Sequence, residues 1–284
     1  MKLVNTISEV REATAAARRD GKTVGLVPTM GALHEGHMAL VRRARDECGF
    51  VGVSIFVNPT QFGPSEDFAR YPRTLEADSR MCREAGVDLV FAPDAEEMYP
   101  AGFAAWVEIG GVTEMLEGEF RPGHFRGVAT VCLKLFNIFR PDCAYFGQKD
   151  YQQLLVIRKM VRDFDLPLQI VPVDIVREPD GLALSSRNRY LNAEERRAAL
   201  VLSKSLAEAN SAFDSGERSA AAIQCLVRAV LDSEPLAETD YAVVVDAETL
   251  LAVERIEKPA VVLLAVRVGT TRLIDNAVLI PPLT

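Results

Sequence analysis

Thr23-Val24-Gly25-Leu26-Val27-Pro28-Thr29-Met30-Gly31-Ala32-Leu33-His34-Glu35-Gly36-His37 decides the reading of this chain. An apolar run leads into a glycine-bearing loop, and an amphipathic stretch from Met38 to Arg45 follows. That order predicts a strand, a tight loop and a helix start, with two of the chain's three histidines in the first helical turn. A helix N-terminus carries unpaired N–H groups and the positive end of a dipole, which favours bound phosphate. Imidazoles placed there add donors where a phosphoryl group gains negative charge. The His-x-x-His spacing falls one residue short of the zinc-protease pattern His-Glu-x-x-His. No third ligand cluster of His or Cys accompanies it, so position favours phosphate over metal.

Outward from this stretch, strand-like and helical patterns alternate. Phe50–Val57 reads as a strand rich in β-branched residues, Thr74–Ala85 as a helix stopped by Gly86, and Val87–Ala92 as a strand. Val128–Phe139 reads as a buried helix, Cys143–Phe146 as a strand ending at Gly147, Tyr151–Phe164 as a helix and Leu168–Val173 as a strand. Such alternation implies right-handed βαβ units and a mainly parallel sheet. Ligands of such sheets bind beyond the carboxyl ends of the strands. The loops with His34, Gln61 and Gly147–Asp150 all follow strands, so they are expected to converge. After the turn Glu178-Pro179-Asp180-Gly181 the pattern changes. An Ala-rich helix from Asn192 to about Phe213, a helix Arg218–Asp232, and strands Tyr241–Val245, Ala260–Val268 and Thr271–Leu279 predict a smaller α+β domain.

Composition narrows the class. The chain has 284 residues, 49% hydrophobic and 25% charged, as in an ordinary globular protein. A net charge of −8 argues against non-specific nucleic-acid binding, which needs a basic footprint. Anionic ligands must therefore be met by local donors. Five scattered cysteines without a Cys-x-x-Cys pair predict buried reduced thiols and a cytoplasmic setting. Met1–Glu12 lacks the character of a signal peptide, and no apolar run approaches the roughly 18 residues of a membrane span.

Four further segments carry chemistry-bearing side chains. Tyr145-Phe146-Gly147-Gln148-Lys149-Asp150-Tyr151-Gln152-Gln153 offers a lysine for phosphate charge and an aspartate for ribose hydroxyls. Leu184-Ser185-Ser186-Arg187-Asn188 offers hydroxyls and a guanidinium for bidentate phosphate contact. Asn58-Pro59-Thr60-Gln61-Phe62-Gly63-Pro64 is a rigid loop whose Gln61 can orient a hydroxyl or carboxylate. Arg121-Pro122-Gly123-His124-Phe125-Arg126-Gly127 reads as a basic flap suited to anions. Each segment alone is as readily an ordinary solvated loop. Together with Val27–His37 they form a set in a fixed order.

That set resembles the pantoate–β-alanine ligase family over nearly the whole chain. The likeness extends to Glu66-Asp67-Phe68 and Tyr71-Pro72-Arg73-Thr74. The family belongs to the nucleotidylyltransferases, whose His-x-Gly-His signature is matched by His34-Glu35-Gly36-His37. Ser185-Ser186-Arg187 looks like the counterpart of the Lys-Met-Ser-Lys-Ser loop, without its lysines. The resemblance implies an α/β fold: a Rossmann-like parallel sheet with helices on both faces, residues 1–177, binding ATP and pantoate. Residues 178–284 would form a smaller C-terminal α+β domain closing over it. It implies that pantoate attacks the α-phosphorus of ATP, giving pantoyl adenylate and pyrophosphate, after which β-alanine yields pantothenate and AMP.

Carried over residue by residue, Met30, Gly31, Ala32, Leu33, His34, Glu35, Gly36 and His37 would line the ATP site. Gly147, Gln148, Lys149, Asp150, Val176, Leu184, Ser185, Ser186 and Arg187 would also contact ATP. His34, His37, Lys149 and Arg187 would be the catalytic group, with His37 as proton donor. Gln61 and Gln153 would hold pantoate, and Gln61 also β-alanine. Mg²⁺ is expected with ATP, with Asp78 as its candidate protein ligand. The family implies a homodimer, with no nucleic-acid or membrane partner. Rival readings are an adenylyltransferase acting on a phosphorylated acceptor and a non-catalytic nucleotide sensor. The first calls for extra basic residues where Gln61 and Gln153 stand, and the second for loss of Lys149 or His37.

Overall fold

A computed structural model describes residues 1–64 and 66–282. The chain divides into two compact units. The first comprises Met1–Gln148 with Gln152–Asp174, and the second Lys149–Tyr151 with the chain from Ile175 onward.

In the first unit the elements are β1 (Lys2–Val4), α1 (Ile7–Arg19), β2 (Val24–Thr29), α2 (Glu35–Glu47), β3 (Phe50–Ile55), α3 (Leu75–Glu84) and β4 (Leu89–Phe91). Two single turns, α4 (Ala95–Met98) and α5 (Glu117–Phe120), precede α6 (His124–Phe139), β5 (Cys143–Gly147), α7 (Tyr151–Asp163) and β6 (Gln169–Val173). The six strands form one parallel sheet in the order β1-β4-β3-β2-β5-β6. Its two faces follow from side-chain alternation. Val27, Val51, Val53, Val90, Tyr145 and Val171 pack with residues of α2 and α3. On the other face Phe91 meets Phe139 with ring centroids 6.0 Å apart, and Phe146 meets Phe136 at 6.4 Å, both partners on α6. A sheet covered on both faces needs near-continuous apolar strands, which is what the runs at β2, β3 and β5 supply.

The chain order reverses between β2 and β5, and there the sheet opens. β2 pairs with β5 only at Gly25 and Leu26, although β2 runs on beside β3 as far as Thr29. The carbonyls of Thr23 and Thr29 accept from Phe50 and Phe56 on the β3 side, and that of Val24 accepts from Asp142 on the β5 side. Pro28 shares the register of Val24 and so turns its missing N–H toward β5. The proline ends that ladder. Beyond it lies the crevice where ligands of open α/β sheets bind.

The second unit has α8 (Ala193–Ala198), α9 (Leu200–Asp214) and α10 (Ala220–Asp232), then β7 (Ala237–Asp246), β8 (Ala260–Val268) and β9 (Thr271–Leu279). The strands form an antiparallel sheet in the order β7-β8-β9. Helices α9 and α10 pack on it through Leu202, Leu206, Ile223, Val227 and Leu231 against Val244, Val262, Leu264 and Val266. The single Ala-rich helix expected from Asn192 to Phe213 is two helices. The helix is interrupted at the fully buried Ala199, where no proline or glycine marks the break.

All five cysteines are free; Cys48, Cys82 and Cys132 are buried, whereas Cys225 is exposed, against the expectation of buried thiols throughout. Burial pushes the Cys82 and Cys132 thiols up to about 12, which leaves them unreactive. Among the described residues no helix is long and apolar enough to cross a membrane.

Candidate functional site

The loop between β2 and α2 is built by backbone chemistry. Thr29 Oγ1 donates to the Ser54 carbonyl at 2.7 Å and accepts from Gly31 N at 3.1 Å, tying the loop to β3. Gly31 and Ala32 both take positive φ, 82° and 50°. Two successive left-handed residues turn the next N–H groups the same way, and Ala32 is a non-glycine held there. The N–H groups of Ala32 and Leu33 donate to Asp78 Oδ2 and Oδ1, each at 2.9 Å, and Thr74 Oγ1 adds a bond of 3.1 Å.

Asp78 is buried, at 2% exposure. Both its oxygens anchor the loop, a part beyond the Mg²⁺ ligand expected for it. Among the described residues no group of three or more His, Cys, Asp or Glu side chains is placed to hold a metal ion.

At the end of this loop His34 is the N-cap of α2 and His37 its third residue. Gly36 N donates to His34 Nδ1 at 3.2 Å, and His34 N donates to His37 Nδ1 at 3.3 Å. Two imidazoles thus do what Ser and Glu do in a capping box. The rings lie 4.1 Å apart, centroid to centroid. A ring whose Nδ1 accepts an N–H carries its neutral-state proton on Nε2. Both histidines are thereby set as Nε2–H donors at a helix N-terminus. Glu35, between them, is ion-paired with Arg42 farther along α2.

Gln61 closes a short 3-10 turn, Pro59–Gln61, after β3. Its turn is fixed by Asn58, which is 1% exposed. Asn58 Oδ1 accepts from Tyr99 Oη at 2.9 Å and Thr60 Oγ1 at 3.0 Å. Its Nδ2 then donates to Gln61 Oε1 at 2.9 Å and to the Gly127 carbonyl at 3.2 Å. The polarity of this chain leaves the Gln61 amide nitrogen as the donor. Helix α6 can approach so closely because Gly127 has no side chain: a Cβ there would stand 2.3 Å from the Thr60 carbonyl oxygen. Of the two adjacent glutamines of α7, Gln152 is buried and tied to Val112, Met115 and Glu117, while Gln153 is partly exposed. Gly147 ends β5 opposite Val173, and Gln148 N donates to the Val173 carbonyl at 2.8 Å.

The Arg121–Gly127 segment, read as a basic flap suited to anions, has partners within the protein. Arg121 is ion-paired with Glu66 at 2.7 Å, and His124 opens α6. Arg126 lies over the Trp106 ring at 4.9 Å and 3.5 Å from Glu108.

In the second unit, Lys149 Nζ stands 3.9 Å from Asp150 Oδ2, and the Lys149 carbonyl accepts from Asn276 Nδ2 at 3.0 Å. Val176 and Leu184 are brought together directly: Leu184 N donates to the Val176 carbonyl at 3.0 Å, and Arg177 bridges to Ala183. Ser185 caps the short 3-10 helix Ser186–Tyr190, accepting from Arg187 N at 3.2 Å. Asn188 donates to Glu178 at 2.9 Å and to the Ala183 carbonyl at 3.0 Å. Arg177 grips Asp275 of β9 with bonds of 2.6 and 2.9 Å. Val176, Leu184, Ser185, Ser186 and Arg187 thus belong to one braced hairpin and turn.

Asn58, Thr29 and the loop-anchoring role of Asp78 are not evident in the sequence. The one available signal is Asp78 itself, a carboxylate on the same helical stripe as the buried Cys82.

Comparison with known proteins gives one answer. The model of the family described as pantoate-beta-alanine ligase matches residues 2–278. The chain is 56% identical to the pantothenate synthetase of Moorella thermoacetica, over 98% of this chain and 99% of that one. It is 57% identical to that of Roseiflexus sp., with the same coverage. The crystal structure of pantothenate synthetase from Thermus thermophilus superposes with a TM-score of 0.94 at 50% identity, over 99% of this chain and 100% of that one. The Francisella tularensis pantoate-beta-alanine ligase, complexed with beta-gamma ATP and beta-alanine, gives a TM-score of 0.80 at 32% identity, over 98% and 97%. The chain belongs to the pantoate–β-alanine ligase family.

Proposed function

We propose that this protein is an ATP-dependent ligase that joins pantoate to β-alanine, releasing pyrophosphate and AMP. The observation that carries the reading is the family match over residues 2–278. The reciprocal histidine cap at the head of α2 adds a physical reason for it.

A pantoate carboxylate oxygen attacks the α-phosphorus of ATP, the bond to the β-phosphate bridging oxygen breaks, and pyrophosphate leaves. The amine of β-alanine then attacks the acyl carbon of the mixed anhydride. The acyl C–O bond breaks, AMP departs, and the amine loses a proton. Such transfers need positioning and charge stabilisation more than covalent help. The loop Met30–His37 shapes the ATP site and presents the head of α2, where His34 and His37 supply Nε2–H donors to phosphate oxygens. We assign His37 as the proton donor, and Gly147, Gln148, Lys149, Asp150, Val176 and Leu184–Arg187 to ATP. Lys149 and Arg187 provide cationic charge for the phosphates.

Gln61 and Gln153 are assigned to pantoate, and Gln61 to β-alanine. A neutral amide binds the carboxylate without quenching it as a nucleophile through a tight ion pair. Mg²⁺ enters in this reading with the ATP phosphates, as part of the substrate. We further propose a cytoplasmic homodimer as the working form, in keeping with the free thiols.

The test is product analysis with ATP, Mg²⁺, pantoate and β-alanine. AMP and pantothenate are expected in equal amounts, with no AMP when pantoate is omitted. Bound ATP without turnover would overturn the reading.

A further inference from the structure

The turn that carries Gln61 is held by three side chains that adenylation does not use. Glu66 accepts from Arg121 Nε at 3.0 Å and from Nη2 at 2.7 Å. The Arg121 Nη1 lies 3.0 Å from His124 Nε2, and Nη2 reaches the Gln61 carbonyl at 3.4 Å. His124 Nδ1 lies 2.8 Å from the same carbonyl oxygen. A guanidinium only donates and a carbonyl only accepts. His124 must then accept at Nε2 and donate at Nδ1, so it is neutral and in one tautomer. A second proton would set an N–H of the ring against the guanidinium.

We propose that His124 is a positioning residue for the acid-binding glutamine: its Nδ1–H, backed by Arg121 and Glu66, holds the Gln61 main chain while Asn58 presets the Gln61 amide as a donor. The inference rests on the assignment of pantoate to Gln61. The electrostatics agree with the geometry. Burial and the neighbouring Arg121 push His124 down to about 4, which keeps the ring neutral at physiological pH. Burial works to raise the Glu66 carboxyl, but the hydrogen bond and charge of Arg121 outweigh it and hold Glu66 below the usual range.

Steady-state kinetics of the full-length enzyme and its variants test this. Gln61→Ala is expected to raise the KM for pantoate. His124→Ala should raise the pantoate KM about tenfold, the worth of one hydrogen bond, with kcat and the ATP KM little changed. His124→Asn places an amide N–H near the Nδ1 position and should restore most of that loss. Glu66→Gln, which keeps the shape but removes the charge, should raise the pantoate KM in the same direction. A raised pantoate KM in Gln61→Ala with none in His124→Ala would overturn the positioning role alone. So would an ATP KM rising in step, or His124→Asn no better than His124→Ala. Should His124→Ala not fold, an unchanged pantoate KM in Glu66→Gln overturns it instead. An unchanged pantoate KM in Gln61→Ala would remove the assignment of Gln61, and this inference with it.

Discussion

His37 has one donor to give, because its Nδ1 already accepts the His34 N–H. The two amide substitutions therefore differ. His37→Gln places an N–H near the Nε2 position, whereas His37→Asn places its amide against the backbone donor. Loss of one preorganised donor costs about 10²–10³ in rate. His37→Ala and His37→Asn are expected to fall by that amount in kcat for pyrophosphate release, and His37→Gln by clearly less. Asp78 makes an opposite kind of prediction. Asp78→Asn turns an N–H toward the backbone donors of Ala32 or Leu33, leaving a buried group unmatched at a cost of about 1–3 kcal/mol. A lower Tm with an unaltered Mg²⁺ dependence is expected. An altered Mg²⁺ dependence with normal Tm would return Asp78 to the metal.

At the scale of elements, α6 and the Pro59–Gln61 turn depend on each other. A Cβ at Gly127 would meet backbone atoms, 2.3 Å from the Thr60 oxygen and 2.9 Å from Gln61 N, which do not yield as a flexible side chain would. Gly127→Ala should lower stability by about 1–3 kcal/mol, read from urea melts, and raise the pantoate KM. His124, at the start of α6, gives the same contact a pH dependence. Its folded-state value near 4 lies below the ordinary histidine value of 6.5, so the unfolded chain binds more protons between these limits. Stability contributed here is intact above about pH 6.5 and is lost as the pH falls toward 4, by at most about 3 kcal/mol. Glu66, held low by Arg121, adds to the loss at still lower pH. Urea melts at pH 5 and pH 7 should show the difference, and His124→Asn should remove most of it.

The elements were legible to the extent that their causes are local. The β-branched runs of β2, β3 and β8 and the Gly86 stop after α3 lie within a few residues of what they determine. So does the histidine signature at the head of α2. The bonds from Asp78 to Ala32 and Leu33, and those from His124 and Arg121 to Gln61, span 45 to 63 residues and leave no periodic trace. The sequence likewise hides the acidic partners of the basic residues at 121 and 126, Glu66 and Glu108.

For the whole molecule, a net charge of −8 means that ATP and a carboxylic acid are drawn in by no general field. In the proposed reading recognition rests on groups fixed in place: two imidazoles of set tautomer, the cations Lys149 and Arg187, and neutral glutamines. That economy of charge suits a reaction whose nucleophile is itself a carboxylate. The central claim is that pantoate is activated as an adenylate before any amine takes part. Exchange of labelled pyrophosphate into ATP measures this step alone. The account predicts exchange that requires pantoate and proceeds without β-alanine. Exchange absent until β-alanine is added, or exchange without pantoate, would contradict it.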